Sequence, residues 1–174
     1  MRYLWLSVLF SFVLWAKGPL LPEHFSANFE QTITNPKGKV IHYKGSVLYG
    51  GESRMKWHYT TPTKKEVCTD GKALTVVDHD LEQVSFYQVK KPFNLQEILK
   101  KAKPYKKEIY LAVYEGKTYT VKVDAKGRIE SAAYYDDLDN KVQILFRKVR
   151  YGKGRLPRKK TQCHYPSSYD IIRG

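Results

Sequence analysis

The residues of this 174-residue chain best suited to chemistry are Cys68 and Cys163, the five histidines His24, His42, His58, His79 and His164, and the triplet Asp78-His79-Asp80. Histidine with carboxylate could hold a metal ion or move a proton, and a thiol beside a histidine could act as a nucleophile. The spacings support neither. The histidines stand singly, without the HxxxH or HExxH arrangement that turns two ring nitrogens to one helix face. Adjacent residues of an extended chain point to opposite sides, so Asp78, His79 and Asp80 read as turn formers rather than ligands of one ion, and Cys163 and His164 face apart. No GxSxG, GxGxxG or phosphate-loop pattern occurs. No metal, cofactor or catalytic residue is expected, and the chain is not read as an enzyme. The cysteines leave two readings open: a disulfide closing a loop of about 95 residues, or two small apolar strand residues that never meet.

With covalent chemistry unsupported, the composition points to binding. Apolar residues make up 42% of the chain and aromatic ones 14%, with 14 tyrosines against 2 methionines. That is enough for a core, and the stiff, ring-rich apolar material favours strands. Collagen-like, coiled-coil, disordered and multi-span membrane classes are excluded. Arg2 followed by the apolar run Leu4 to Trp15 reads as a secretory signal, with cleavage expected after Ala16. The run is shorter than the roughly 20 residues of a spanning helix. No cysteine follows the cleavage region, so residues 17 to 174 are expected to form one soluble exported domain without a lipid anchor.

The elements that must position any binding site are mostly strands. Phe25, Ala27, Phe29 and Ile33 alternate with Ser26, Asn28, Glu30 and Thr32, and Ile41, Tyr43, Val47 and Tyr49 share a face beyond the Asn35-Pro36-Lys37-Gly38 turn. Met55, Trp57 and Tyr59 alternate with Arg54, Lys56 and His58. Asp70-Gly71 predicts a tight type I′ hairpin, and Leu81 to Val89 another strand. The period then changes: Leu95, Ile98, Leu99 and Ala102, with Asn94 and Glu97 as a capping box and Pro104 as a stop, predict a short amphipathic helix. Strands follow over 107 to 114, 118 to 124, 129 to 136 and 141 to 151, and a further one over 161 to 165. Short connections predict an up-and-down antiparallel sheet of roughly ten strands in sequence order. A sheet so long twists and curls, and one short helix is too small for a second layer. It suits a lid over an apolar concave surface, which implies an apolar ligand.

Lys+Arg 31 against Asp+Glu 17 gives a formal charge of +14. The cations gather at Lys100, Lys101, Lys103, Lys106 and Lys107, and again from Arg147 to Lys160. An export signal and inward-alternating aromatics argue against nucleic acid, which needs rings interleaved with the cations. Solubility accounts for many such lysines; anionic lipid or an acidic partner surface would use the rest.

Eight stretches, in order and spacing, resemble the LolA family of periplasmic outer-membrane lipoprotein carriers. They are FSANFEQTI (25 to 33), KGSVLY (44 to 49), MKWHYTTP (55 to 62), VCTDGKALTVVDHDLEQV (67 to 84), KPFNLQEIL (91 to 99), DAKGRI (124 to 129), DDLDNKVQILF (136 to 146) and YPSSYDII (165 to 172). The resemblance implies an incompletely closed antiparallel barrel, a half-barrel, whose concave apolar face holds acyl chains under a helical lid. It implies loading by an ATP-driven release complex of the inner membrane, passage through the periplasm as a monomer, and delivery to an outer-membrane acceptor. Met55, Trp57 and Tyr59 fall on the family's cavity strand and Leu95, Ile98 and Leu99 on its lid; sheet alternation adds Phe29, Val47, Tyr49, Val84 and Phe86. At the positions of the family's lid-closing Arg-Pro pair this chain has Gly51 and Glu52, so a different closure is expected. Lys17 to His24, with Pro19 and Pro22, leaves little room for the family's N-terminal helix. The competing reading is a periplasmic sensor or adaptor module that binds a protein or glycolipid through its basic surface.

Overall fold

The computed structural model describes residues 18–89 and 94–173; the signal segment expected over residues 1–16 lies outside the described residues. Twelve strands form one open sheet, and α1 (Leu95–Lys101) is the α-helix among the described residues. In chain order the strands are β1 (His24–Thr34), β2 (Val40–Tyr49), β3 (Met55–Thr61), β4 (Lys65–Thr69), β5 (Ala73–Asp78), β6 (Gln83–Gln88), β7 (Lys103–Lys106), β8 (Ile109–Tyr114), β9 (Lys117–Val123), β10 (Ile129–Tyr135), β11 (Lys141–Gly152) and β12 (Asp170–Arg173).

Their spatial order is β12-β6-β5-β4-β3-β2-β1-β11-β10-β9-β8-β7. This corrects the expected sequence-order meander. Two meanders run in opposite directions from a central seam where β1 pairs with β11, Phe29 opposite Phe146 and Ile33 opposite Val142. The reason lies in α1. The segment containing it leaves β6, next to one end of the sheet, and delivers the chain to β7 at the other, so it must cross a face. Burial of Leu95, Ile98 and Leu99 in the main core shows which face is crossed. The helix itself begins as the spacing predicts: Asn94 caps it, its side chain accepting the Glu97 N–H at 3.2 Å.

Two further expectations are corrected. Residues 161 to 165 form no strand; a 3-10 turn (Arg158–Thr161) leads into a segment crossing the outer face, and β12 then pairs in parallel with β6. A chain that returns across a sheet can run parallel, whereas a hairpin cannot. The Asp70-Gly71 hairpin exists but is not type I′, because Gly71 alone of the pair has positive φ and the last opposed residues are Thr69 and Leu74. The Asp70 carboxylate accepts the N–H groups of Lys72 and Ala73, at 2.9 and 3.0 Å, which widens the loop.

Candidate functional site

The inner face is built around β1. Phe25, Ala27, Phe29 and Gln31 alternate inward, flanked through the registers by Tyr49, Val47, Gly45 and Tyr43 of β2. One row further, Met55, Trp57 and Tyr59 of β3 stand beside Tyr49, Val47 and Gly45. Gly45 is the point that makes this possible. A Cβ there would lie 2.9 Å from the Phe29 ring and 2.0 Å from the His58 carbonyl oxygen. The bare backbone lets Phe29 stand between Trp57 and Tyr59, with ring centroids at 4.9 and 5.1 Å and near-perpendicular planes, the edge-to-face arrangement aromatic quadrupoles favour.

Above these rings lies a cavity of about 240 Å³. Its walls are Met55, Trp57 and Tyr59 of β3, Val67 and Leu74 of the next hairpin, Ile144 and Phe146 of β11, and Val121, Tyr119 and Tyr134 of the opposite meander; Leu95 and Ile98 of α1 cover it. No Lys, Arg, His, Asp or Glu lines it among the described residues. Its polar side chains are neutral, Gln31, Thr69 and three tyrosines, and the Tyr59 hydroxyl donates to Gln31 Oε1 at 3.2 Å. Burial, with smaller contributions from Tyr134 and Tyr43, raises the Tyr59 hydroxyl far above the usual tyrosine range. Burial, then Tyr119 and Asp136, pushes Tyr134 up to about 12. The cavity therefore carries no charge at physiological pH and offers a dispersion surface with a few neutral polar groups.

The predicted residues divide into three groups. Met55, Trp57, Tyr59, Leu95 and Ile98 line the cavity. Phe29, Val47, Tyr49 and Leu99 are buried in the core that supports it. Val84 and Phe86 do not belong to this face. Val84 opposes Val77 and Phe86 opposes Thr75, residues that share the outer face with Cys68, and Phe86 lines a different recess together with Cys68, Cys163 and Tyr165. The two-residue period was legible but its phase was not, because on β6 the apolar side chains are covered from outside by the C-terminal segment.

That segment is held by groups whose pairing only the fold decides. Cys68 and Cys163 form a disulfide, with Cα atoms 5.7 Å apart. Beside it Glu66 accepts Lys56 Nζ at 2.9 Å and the His164 N–H at 3.1 Å. Burial alone would raise the Glu66 pKa, yet these two donors outweigh it and hold the carboxyl below its usual range. Arg54, whose alternation predicts an exposed polar face, is 5% exposed and donates to the carbonyls of Gly50 and Leu156. The Gly50-Gly51 pair beside it is the one sequence signal of that close approach. Gly51 and Glu52 both have positive φ, and Glu52 pairs with Arg155 at 3.1 Å. The arginine of this region thus pins the C-terminal segment rather than the helix. What holds α1 is its buried leucines and isoleucine, Lys101 over the Tyr114 ring at 5.3 Å, and a 3.5 Å bond from Gln96 Nε2 to the Pro22 carbonyl. Residues 18–23 form no helix, and the Leu20 N–H donates to the Gly127 carbonyl at 2.8 Å. Asp78, His79 and Asp80 occupy a turn: Asp78 accepts the N–H groups of Asp80 and Leu81, Asp80 that of Lys64, and His79 meets the Tyr169 hydroxyl at 3.2 Å.

The sequence profile of the family described as outer membrane lipoprotein carrier protein LolA matches residues 22–100. The outer-membrane lipoprotein carrier protein of Campylobacter jejuni is 35% identical over 150 residues, which cover 86% of each chain. That of Helicobacter hepaticus is 26% identical over 171 residues, 98% of this chain and 94% of the other. Among solved structures, an uncharacterized conserved protein from Thermus thermophilus superposes with a TM-score of 0.52 over 87% of this chain and 90% of its own, at 8% identity, and so shares the fold alone. With a relative of 35% identity matched along most of both chains, and with the uncharged, lidded cavity on the inner face of an open sheet, the chain belongs to the LolA family of outer-membrane lipoprotein carriers.

Proposed function

We propose that the protein is a periplasmic carrier that takes the acyl chains of lipoproteins released from the inner membrane into the α1-covered cavity and delivers them to an outer-membrane acceptor. Residues 1–16 serve as its export signal and residues 17–174 as one carrier domain, acting without a cofactor. The observation that carries this reading is the uncharged cavity of about 240 Å³ closed by a helix rather than by the sheet. Burying a methylene is worth about 0.8 kcal/mol, so a chain of ~16 carbons would gain on the order of 12 kcal/mol, and a bilayer offers at least as much. Loading therefore needs an energy source, which an ATP-driven release complex supplies, and unloading needs a better-fitting site in the acceptor. The cavity is smaller than the roughly 300–1,000 Å³ usual for ligand sites, so Leu95, Ile98 and Leu99 move outward with α1 when a chain enters. Among the described residues α1 is held mainly by the burial of Leu95, Ile98 and Leu99, which lets it shift without breaking a polar network.

The test is a purified transfer assay with a triacylated lipoprotein, together with native mass spectrometry of the protein isolated from the periplasm. Trp57→Glu places a charge among the cavity rings and is expected to abolish acyl binding and delivery while the sheet stays folded. Unchanged transfer by that variant would overturn the assignment.

A further inference from the structure

The outer face of the central strands carries a second feature, independent of the cavity. A β-bulge in β11 shifts its pairing with β1 between Ser26 and Asn28, and Lys148 at the bulge has φ of 53°. A bulge re-aims side chains, and a non-glycine residue in the left-handed region is retained where the surroundings require it. Here its effect is to bring Lys148 and Arg150 to the rim of one trough on the outer face. Through the registers the floor is Ser26, Asn28 and Ser46 with one apolar residue, Leu48, and the far bank is Lys56 and His58 of β3 with Lys160 from the 3-10 turn. From β11 to β3 is three strand spacings, roughly 14 Å.

The charges are one-sided. Glu66 is the carboxylate of the trough, and it is already paired with Lys56. Lys148, Arg150 and Lys160 are exposed and enter no salt bridge among the described residues. Arg147 on β11 and Lys159 on the turn add cations beyond the banks, and the carboxylates Asp124 and Glu130, which share a recess with Lys148 and Arg150 beyond β11, are already paired with Arg128 and Lys122.

We propose that this trough docks the protein on a bilayer surface by binding the phosphates of anionic lipid headgroups. The chemistry selects phosphate: lysine and arginine cations at the banks, hydroxyl and amide donors on the floor. The openness of the site selects a surface over a free ion. Exposed cations at ionic strength near physiological are screened within a Debye length and hold one dissolved phosphate weakly, whereas a bilayer presents many phosphates at once and the contributions add. The face is opposite the cavity, so docking leaves α1 free to open.

The experiment is co-sedimentation of the full-length mature protein with vesicles of phosphatidylcholine alone and of phosphatidylcholine containing 30 mol% phosphatidylglycerol, taking about 30% as a representative anionic fraction, across a salt series. Binding is expected only to the anionic vesicles, falling steeply with salt. The double variant K148G/R150S is expected to weaken it roughly 25-fold, about fivefold for each cation removed. Glycine suits the backbone at 148, so this variant keeps its fold, checked by thermal unfolding against the wild type, and keeps acyl transfer. Equal binding to both vesicle types, unchanged binding by the folded double variant, or saturable binding of inorganic pyrophosphate or an acidic polypeptide without vesicle binding would each overturn the proposal.

Discussion

Phe29 and Trp57 meet edge to face, their ring centroids 4.9 Å apart at 78°, over a glycine that leaves room for both. The pair joins core to cavity: Phe29 is 1% exposed and supports the floor, while Trp57 is half-buried and lines the wall. Disturbing one ring therefore displaces the other, and stability and binding are coupled at this point.

Gly45→Ala tests that coupling directly. The new methyl carbon would sit 2.0 Å from the His58 carbonyl oxygen, a backbone atom that cannot swing away. A loss of at least about 2 kcal/mol is expected, read as a fall of roughly 4–8 °C in Tm by differential scanning calorimetry.

The two faces of the sheet should separate by mutation. Phe86→Ala is expected to cost about 2 kcal/mol of stability, less than a fully buried phenylalanine would, and to leave acyl-chain affinity within about twofold, because the ring lies on the outer face with Cys68 and Tyr165. Trp57→Ala should lower that affinity by tenfold or more, on the order of 1.4 kcal/mol. A fluorescent fatty-acid displacement assay with urea unfolding of both variants checks the pair; a larger binding loss from Phe86→Ala would refute the placement.

The disulfide closes a loop with a sequence separation of 95. Chain-entropy reasoning gives it an upper value of about 4.7 kcal/mol. Replacing both cysteines by serine is expected to lower the urea midpoint accordingly while acyl binding persists, since the bond lies across the sheet from the cavity. Protection from hydrogen exchange should fall first at β12 and residues 156 to 165.

Acid should weaken the same region. Glu66 is held below the usual carboxylate range, so its contribution is present above the unfolded value near 4.3 and is lost as pH falls through the lower folded value. The turn carboxylates Asp70, Asp124 and Asp136 are shifted in the same direction, so acid removes several such contributions together. Glu66→Gln is expected to reduce the stability difference between pH 7 and pH 3, measured by urea unfolding at each pH.

Much of the fold was legible because its signals are local. Period-two alternation located β1, β2 and β3, and Asn94 with the Leu95, Ile98, Leu99 spacing located α1 and its buried stripe. The strand after the helix, β7, was not legible, because Pro104 reads as a stop and Glu108, at positive φ, turns the chain into β8 without a glycine to mark the hairpin. The site was legible where burial and alternation share a phase. Met55, Trp57 and Tyr59 sit on a strand whose polar partners face outward, and so fall on the cavity side. Arg54 was not legible, since a charged residue in alternation reads as exposed until a partner carbonyl is placed against it.

The sequence by itself determined most of the strands, the helix, and that one sheet face is apolar, since these depend on residues a few positions apart; the short edge strands β7 and β12 needed the fold. Tertiary structure alone decided the rest: that β11 closes on β1, that Cys163 reaches Cys68, that Val84 and Phe86 face outward, and that Lys148 and Arg150 share a trough with Lys160. Each of these joins residues far apart in the chain or depends on what covers a face. An alternating strand is equally satisfied in either orientation until a second layer removes one side from water. On β6 that layer is the C-terminal segment, and on β3 it is α1 and the opposite meander.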